Sequence, residues 1–530
     1  MAMQFGRYIA AQPPGVAEGW RLERITPVSR LYGANGLRAG ADGRLYVAQV
    51  SGSQISAVDP DSGAVEAISP MGGGIVAPDD LVFDDEGNLY ATEITEGRVS
   101  VLAPNGTVRV VYGDVPNANP ITFHNGMLIA GELREGGRIM QLDLHGGAPR
   151  VILDNVPVPN AFEVGPDGKL YFPVMSRNEI WRVGLEGGEP EVVARDLGVP
   201  DSVKFDSKGR IVSTQVHSGQ VLRIDPRTGA REVLADLSPG LDNVSFIGDR
   251  IFVSAIPGDI YELSGGGVRP VISGGLNWPL GLAMGADGVL FVADGSFTYW
   301  LPPGGGLTLA GMLFTPGCPG YVRGVVAAGP GEMVVTTANG HVARWRPGGQ
   351  ESMFLAEGFD RLYGVDLAPG GAAVFAEAGA GRVLSVTSGA VEVLATGLRE
   401  PMGVAVSPEG VVYVSECHGG RVVKLVGGKA ETVVDGLQWP QGILLRGGRL
   451  YIVDALAKQL VEYDVMGGGR KVIATRLPVG APPGVTAKPL GAIRPLSGPM
   501  GPFAGITAGA DGTLYISADA EGCVLALRPL

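Results

Sequence analysis

The stretch Asp79–Tyr90 reads DDLVFDDEGNLY, and the chain repeats this pattern about twelve times. Each copy has a short alternating apolar strand, a hairpin containing glycine, and a second strand that resembles Leu-Tyr-Val-Ala. The copies recur at intervals of roughly 40 residues, which is typical of propeller blades because one small sheet cannot bury both of its faces without a neighbour. The sequence therefore predicts an all-β fold built from β-propellers.

The copies align with one another along the whole chain. NGLRAGADGRLY begins at Asn35, NAFEVGPDGKLY at Asn160 and DSVKFDSKGRIV at Asp201. The other copies begin at Asn119, Asp242, Leu280, Arg323, Tyr363, Met402, Gln441 and Ala504. Most copies continue into a third strand such as QISAVDP and a fourth strand such as AVEAIS. Each unit therefore predicts a four-stranded antiparallel blade.

The composition fits a turn-rich chain that still buries a core. The 530 residues include 85 glycines and 39 prolines, and 45% of the chain is hydrophobic, which argues against disorder. A single propeller usually has about four to eight blades, so twelve units are too many for one ring. We therefore predict two tandem six-bladed β-propellers.

Ring closure sets the predicted domain boundaries. The last unit offers only three strands (GITAG, LYISA, VLALR), while a spare strand, Trp20–Val28, precedes the first unit. We predict that the spare strand closes blade six and that VRPVIS, Val268–Ser273, closes blade twelve, which leaves no open sheet edge. This scheme gives an N-terminal extension over 1–19, a first propeller over 20–266 and a second over 267–530. In the alternative, the N-terminal strand closes blade twelve and VRPVIS stays in blade six, which would entangle the domains.

Global charge and the cysteine count exclude several function classes. The net charge of −13 opposes binding to a phosphate backbone, and the chain has no basic stripe with interleaved aromatic residues. Because no run of about 18 apolar residues occurs, we expect no membrane partner either. The three cysteines, Cys318, Cys417 and Cys523, are widely spaced and odd in number, which fits a reducing compartment. We expect a soluble cytoplasmic protein, and the sequence leaves its oligomeric state open.

One aligned position distinguishes the two propellers. The first residue of each blade stands at the mouth of the central channel, so this position forms a ring. In the first propeller the ring consists of amides and carboxylates: Asn35, Asp79, Asn119, Asn160, Asp201 and Asp242. In the second propeller the position holds no carboxylate: Leu280, Arg323, Tyr363, Met402, Gln441 and Ala504. Preference for Asn and Asp in turns would account for one or two of these residues, but not for six against none.

This ring predicts a metal site. Converging carboxylates repel one another unless a cation lies among them, and oxygen ligands suit hard cations. We predict one divalent ion, Ca²⁺ first and Mg²⁺, Mn²⁺ or Zn²⁺ as alternatives. Its predicted ligands are Asn35, Asp79, Asn160, Asp201 and Asp242.

A second group of polar residues ends the second strand of several blades. It comprises Gln49, Glu93, Glu132 and Gln215. Glu93 and Glu132 are candidate outer-shell ligands or acid/base groups, although such residues are about equally often solvated loop residues. His217 follows in blade five and is a candidate general base, although a lone loop histidine is more often simply exposed.

Two segments resemble a known family. VPNAFEVGPDGKLY and VPDSVKFDSKGRI are similar to the Pro-Asn-Gly and Pro-Asp-Gly segments of the regucalcin/gluconolactonase family of six-bladed propellers, also called the senescence-marker family. The resemblance implies one divalent cation bound by Asn160 and Asp201, with Asp201 also the general base and Asn119 beside the substrate. The family's first-blade Glu is Asn35 here, so one negative charge is missing.

Weaker resemblances accompany this one. The Asp242-Asn243 pair resembles the Asp-Asn ligand pair of the paraoxonases, and EPMGVAVSPEGVVYVSE in the second propeller resembles NHL-type repeats. We expect a metal-dependent lactonase that opens a small cyclic ester to a hydroxy acid. A metal-dependent lyase or isomerase at the same ring, and a non-enzymatic double-propeller binding protein, remain as alternatives. The second ring either lines a pocket for an organic ligand or plugs its channel, and we favour the plug.

Overall fold

The computed structural model describes residues 6–8 and 12–530, and the blade architecture predicted from the repeats is confirmed. Within these residues lie eleven four-stranded sheets and one five-stranded sheet, all antiparallel. In six consecutive sheets, shared core clusters link each sheet to the next and the last to the first, and the innermost strands of the other six contact one another in a second closed ring. No helix among these residues is both long and apolar enough to span a membrane.

The first propeller contains blades 1 to 6, with strands given from the channel outward. They are Leu37–Ala39, Leu45–Gln49, Gln54–Val58 and Val65–Ser69; Pro78–Phe83, Leu89–Glu93, Arg98–Leu102 and Val108–Tyr112; Ala118–His124, Met127–Glu132, Gly137–Leu142 and Arg150–Val156; Glu163–Val164, Lys169–Val174, Glu179–Gly184 and Glu191–Ala194; Lys204–Phe205, Ile211–Thr214, Gln220–Ile224 and Arg231–Asp236; and Leu241–Ile247, Arg250–Ala255, Asp259–Ser264 and Gly267–Ile272. A 3₁₀ turn, Met175–Arg177, interrupts blade 4.

The second propeller contains blades 7 to 12. They are Leu282–Met284, Leu290–Asp294, Phe297–Leu301 and Thr308–Met312; Val322–Gly329, Glu332–Thr337, Val342–Arg346 and Glu351–Ala356; Leu362–Leu367, Ala373–Glu377, Arg382–Thr387 and Ala390–Ala395; Pro401–Val406, Val412–Glu416, Arg421–Val426 and Lys429–Val434; Pro440–Arg446, Arg449–Asp454, Gln459–Asp464, Arg470–Thr475 and the edge strand Gly15–Val16; and Ile506–Ala508, Leu514–Ala518, Cys523–Pro529 and Trp20–Arg24. A 3₁₀ turn, Pro347–Gly349, lies in blade 8.

The cores lie between neighbouring blades, because the alternating side chains of each sheet need an apolar partner on both faces. In the first propeller, Phe252 and Ile272 of blade 6 pack in one cluster with Leu37 and Val47 of blade 1. Ring closure of the first propeller therefore comes from packing of side chains, with every strand of each blade supplied locally.

The second propeller closes differently, and the closure predicted from the sequence is wrong. The N-terminal strand Trp20–Arg24 pairs with Cys523–Pro529 in blade 12, while Gly267–Ile272 remains in blade 6. The reason is local: Gly265 and Gly266 both have positive φ and form a two-residue hairpin that commits Gly267–Ile272 to the preceding strand. The buried last strand then takes its outer partner from the N-terminus.

This topology moves the domain boundaries. The first compact unit spans Arg30–Gly274 together with Val485–Arg494, instead of the predicted 20–266. The other unit contains the described residues up to Ser29, then Gly275–Gly484 and Pro495–Leu530, instead of 267–530. Part of the predicted extension over 1–19 falls on residues 1–5 and 9–11, outside the described residues. The first propeller is thus an insertion in the chain of the second.

The connection between blades 11 and 12 is long. It runs from Thr475 to Ile506, and its middle segment, Val485–Arg494, belongs to the compact unit of the first propeller. We call Val485–Arg494 the strap.

Candidate functional site

The mouth ring of the first propeller comprises Asn35, Asp79, Asn119, Asn160, Asp201 and Asp242. Each residue lies at or just before the start of an inner strand, and hydroxyl groups on second strands hold several of their backbones. Thr92 donates to Asn119 O at 2.8 Å, and Ser254 donates to Asn35 O at 2.7 Å. Thr214 likewise donates to Asp242 O. Each of these bonds joins one blade to the next and fixes where a ring side chain begins.

The structure brings amides and carboxylates of the ring into direct contact. Asn160 Nδ2 lies 2.9 Å from Asp201 Oδ2, and Asn35 Nδ2 lies 3.2 Å from Asp242 Oδ2. Asn243, one residue beyond the ring, donates to Asp242 Oδ1 at 3.1 Å, but its own Oδ1 is buried and has no hydrogen-bond partner among the described residues. The two carboxylates each have an amide neighbour, and one amide oxygen stays unsatisfied.

The ring carboxylates oppose one another's ionisation. Burial, followed by repulsion from Asp242 and Asp80, raises the pKa of Asp79 well above its usual value. Burial and the same neighbours, together with Asp79, raise the pKa of Asp201 in the same way. Burial and Asp80 raise the pKa of Asp242 to about 7, although hydrogen bonds from amides lower it. The mouth thus concentrates negative charge that nothing cationic in the ring offsets.

A second charged layer lies further along the same inner strands, and the sequence analysis did not identify it. Lys204 Nζ lies 2.7 Å from Glu163 Oε2, and Arg38 NH1 lies 3.2 Å from the same oxygen. Burial lowers the pKa of Lys204, while Lys204 and then Arg38 lower the pKa of Glu163 despite its burial. These residues stand three positions after the ring in blades 1, 4 and 5, so the aligned repeats contained the signal. The layer joins blades across the channel.

Asp80 connects the two layers. It is buried, and its carboxylate accepts from Leu81 N at 2.8 Å and from Ile121 N at 3.3 Å. Burial raises the pKa of Asp80, whereas Arg38 and Lys204 lower it. It is a fourth carboxylate beside the mouth, and it was not among the predicted ligands.

The structure does not support a catalytic role for Glu132. The residue is fully buried, Oε2 accepts from Arg134 at 2.7 Å and from Arg138 N at 3.0 Å, and Oε1 accepts from Arg138 Nε at 2.8 Å. Gln49 and Glu93 occupy the same aligned position in blades 1 and 2. Each accepts a backbone hydrogen bond from the segment before its own blade, Gln49 from Tyr32 N at 2.7 Å and Glu93 from Val76 N at 2.8 Å. These hydrogen bonds hold the second strands to neighbouring segments, and Arg134 and Arg138 contact both oxygens of Glu132.

His217 is exposed on the turn that follows the second strand of blade 5. Its backbone N–H donates to Gly198 O at 3.1 Å. Within residues 6–8 and 12–530, no side-chain hydrogen bond or ion pair directs its imidazole toward the ring. Asn119, by contrast, is buried at the mouth as predicted.

The mouth of the second propeller is filled. All six residues at the ring position are buried, and Arg323 stacks over Tyr363 at 4.5 Å. Arg323 also donates to Leu362 O at 3.1 Å and to Pro499 O, while Phe503 packs at 5.9 Å from the Tyr363 ring. Below them the channel holds a cavity of only about 40 Å³. This agrees with the plug favoured from the sequence.

Among residues 6–8 and 12–530, no group of three or more His, Cys, Asp or Glu side chains is placed to hold a metal ion. Carboxylates alone therefore do not form a complete ligand set there. Any ion at the mouth ring would need amide oxygens as well.

Comparison with known proteins gives matches among solved structures only. No protein-family model matches the chain, and no curated protein matches it. Among solved structures, a streptogramin B lyase is 18% identical with a TM-score of 0.38, covering 52% of this chain and 97% of its own. Selenomethionine-substituted virginiamycin B lyase from Staphylococcus aureus is 16% identical with a TM-score of 0.38, covering 52% and 96%. These identities are too low for residue roles to be transferred from either protein.

Proposed function

We propose that the first propeller is a metal-dependent lactonase that opens a cyclic ester to a hydroxy acid at its channel mouth. The observation that carries the proposal is the set of buried ring carboxylates, Asp79, Asp201 and Asp242, each with a raised pKa and with amides interleaved. Such a concentration of like charge is costly in the free protein. A bound divalent cation would offset that cost.

The donor set suits a hard cation. Every side chain of the mouth ring offers oxygen, and the unsatisfied Oδ1 of Asn243 adds one more. Asp201 and Asp242 would hold the ion together with amide oxygens from Asn160 and Asn243, and Asp79 would contribute further negative charge. We expect Ca²⁺ first, because it accepts mixed carboxylate and amide ligands, with Mg²⁺, Mn²⁺ or Zn²⁺ as alternatives.

The chain's own residues supply the remaining chemistry. A divalent cation bound here would polarise the lactone carbonyl. Asp201 would accept the proton of the attacking water, and the 2.9 Å hydrogen bond from Asn160 orients its carboxylate. Asn119 would orient the substrate from blade 3.

The test combines metal titration with a panel of five- and six-membered lactones. We expect about one equivalent of Ca²⁺ to bind the wild type, and Asp201→Asn to weaken binding and reduce turnover by about 10²-fold or more. Asp366→Asn is the matched control, because Asp366 is a carboxylate of the second propeller that accepts from Val406 N at 2.8 Å. It should leave metal binding and turnover unchanged.

Two outcomes would contradict the proposal. One is that no lactone is hydrolysed faster with Ca²⁺, Mg²⁺, Mn²⁺ or Zn²⁺ than after chelation. The other is turnover in ¹⁸O-labelled water without incorporation of the label into the product, which would indicate a lyase or isomerase.

A further inference from the structure

The strap, Val485–Arg494, packs on the first propeller although it is separated in sequence from blades 1 to 6. Asn117 Nδ2 donates to Arg494 O at 2.6 Å. At the other end, Thr486 O lies against Gly72, where an added Cβ would meet it at 2.9 Å. Between them, Gly491 lies against Thr95 O, where an added Cβ would meet that oxygen at 2.7 Å. The strap is therefore docked along its length.

These contacts fall beside the mouth ring. Asn117 lies two residues before Asn119, and Thr95 belongs to the turn whose Ile94 N–H donates to Ala77 O, two residues before Asp79. Gly72 and Asn117 thus lie in the segments that precede the inner strands of blades 2 and 3, and Thr95 lies in the turn between the second and third strands of blade 2. A segment placed on these loops borders the mouth at Asp79 and Asn119.

Leu490 is the buried residue of the strap, since it is only 6% exposed in a segment whose other residues are partly or fully exposed. The strap also carries two cations, Lys488 and Arg494, and no acidic residue. Its charge is opposite to that of the mouth ring, so electrostatic attraction favours the docked position.

We propose that the strap forms part of the wall of the first-propeller site and limits the size of the molecules that reach the mouth ring. The proposal concerns which molecules can reach the mouth ring, and it does not depend on the reaction that occurs there. If the ring is the lactonase proposed above, on which this extension rests, the strap determines which ring substituents are admitted. The connection between blades 11 and 12 would then complete the site of the first propeller.

The test measures access directly with a cysteine at the ring. Asn119→Cys is placed in a Cys318→Ser background, because Cys417 and Cys523 are buried and Cys318 is only half-buried. The cysteine is reacted with two methanethiosulfonates, one carrying a methyl group and one a bulky aromatic group. Leu490→Asp releases the strap, and Leu456→Asp is the matched control because Leu456 is 61% exposed in blade 11.

We expect Leu490→Asp to accelerate the bulky reagent by about tenfold and the methyl reagent by less than about twofold, since loss of one buried leucine shifts a local opening equilibrium by that order. Leu456→Asp should change neither rate. If Leu490→Asp does not fold, replacement of Val485–Arg494 by a Gly/Ser stretch of equal length serves the same purpose. Equal acceleration of both reagents, or of neither while hydrogen exchange shows the strap released, would overturn the proposal.

The lactone panel separates this proposal from the proposed function. With the strap released, the ratio of kcat/KM for bulky over small lactones should rise by about tenfold. Absence of turnover in every variant contradicts the lactonase, while the labelling rates still decide whether the strap restricts access.

Discussion

Asp242 illustrates how the ionisation of a buried carboxyl in the mouth ring lowers the stability of the folded protein. Its carboxylate is buried beside Asp80 and accepts hydrogen bonds from Asn35 and Asn243. Because its pKa is about 7 in the folded state against an ordinary 3.8, the folded protein binds this proton more tightly than the unfolded chain does. The stabilisation is complete below the unfolded pKa and is lost as the pH rises through 7.

We therefore expect metal-free Asp242→Asn to have a larger free energy of unfolding than the wild type at pH 8, by on the order of a few kcal/mol. Near pH 4 the two proteins should have the same stability. Urea unfolding across this range in the presence of a chelator measures the difference. Added Ca²⁺ at pH 8 should stabilise the wild type more than the variant.

Asp225→Asn is the control for this prediction. Asp225 accepts from Arg227 N at 2.8 Å, and that hydrogen bond lowers the pKa of its carboxyl. Its contribution is present above the ordinary pKa and lost as the pH falls, so the substitution should give no gain at pH 8. A pH-independent difference for Asp242→Asn would mean that its carboxyl is not destabilised by its neighbours.

At the scale of the inner strand, one column of residues accounts for the difference between the two channels. In the second propeller, the residue after each ring position is glycine: Gly281, Gly324, Gly364, Gly403, Gly442 and Gly505. At each of them a Cβ would meet the carbonyl oxygen of the ring residue in the next blade, for example Met402 O at 2.6 Å from Gly364. The inner strands therefore approach too closely for any side chain. In the first propeller this column holds Gly36, Asp80, Pro120, Ala161, Ser202 and Asn243, and the channel accommodates polar groups.

This close approach predicts a sharp contrast between two glycines of the strand Val322–Gly329. Gly324→Ala would place its Cβ on Tyr363 O, so it should destabilise the protein by about 1–3 kcal/mol. Gly329→Ala is the control, because the nearest atom to its added Cβ is Glu332 Cβ at 4.0 Å. It should change stability by less than about 1 kcal/mol. Differential scanning calorimetry measures both, and equal effects would mean that the inner strands can separate at no cost.

For the whole molecule, the first propeller is inserted in the chain of the second propeller. The N-terminal strand Trp20–Arg24 therefore belongs to the second propeller. Trp20 pairs with Pro529 and Arg24 with Leu525, so the strand Trp20–Arg24 covers the edge of the last strand. The strand it covers includes Ala526 and Leu527, both fully buried. Without the N-terminal strand, blade 12 would expose an apolar edge.

Removal of residues 1–24 should therefore lower the unfolding temperature of the second propeller by about 10 °C, while the first propeller is unaffected. Calorimetry resolves two transitions if the units unfold separately, and a shift with Ca²⁺ identifies the first propeller. Removal of residues 1–14 retains both Gly15–Val16 and Trp20–Arg24 and should cost much less. If the two truncations shift the same transition equally, the pairing of Trp20–Arg24 does not stabilise blade 12.

Much of the fold could be predicted because its signals are local. Alternation along each strand and the glycine hairpins identified the blades, and the aligned first positions identified the mouth ring before any distances were available. Asn160 next to Asp201 and Asn35 next to Asp242 follow from those positions. The ion pairs of Glu132 could not be predicted, because no sequence pattern shows that Arg134 and Arg138 donate to its two oxygens.

The sequence by itself determined which residues form strands, how strands within a blade pair, and which residues stand at each mouth, since turn chemistry and two-residue periodicity act over a few residues. Only the tertiary structure decided that Trp20–Arg24 pairs with Cys523–Pro529, that Arg38 and Lys204 converge on Glu163, and that the strap contacts Asn117 and Thr95. These choices join segments far apart in the chain. These long-range contacts form because a buried strand edge or a buried charge still needs a partner after the local hairpins have formed. That need arises only when folding buries the edge or the charge.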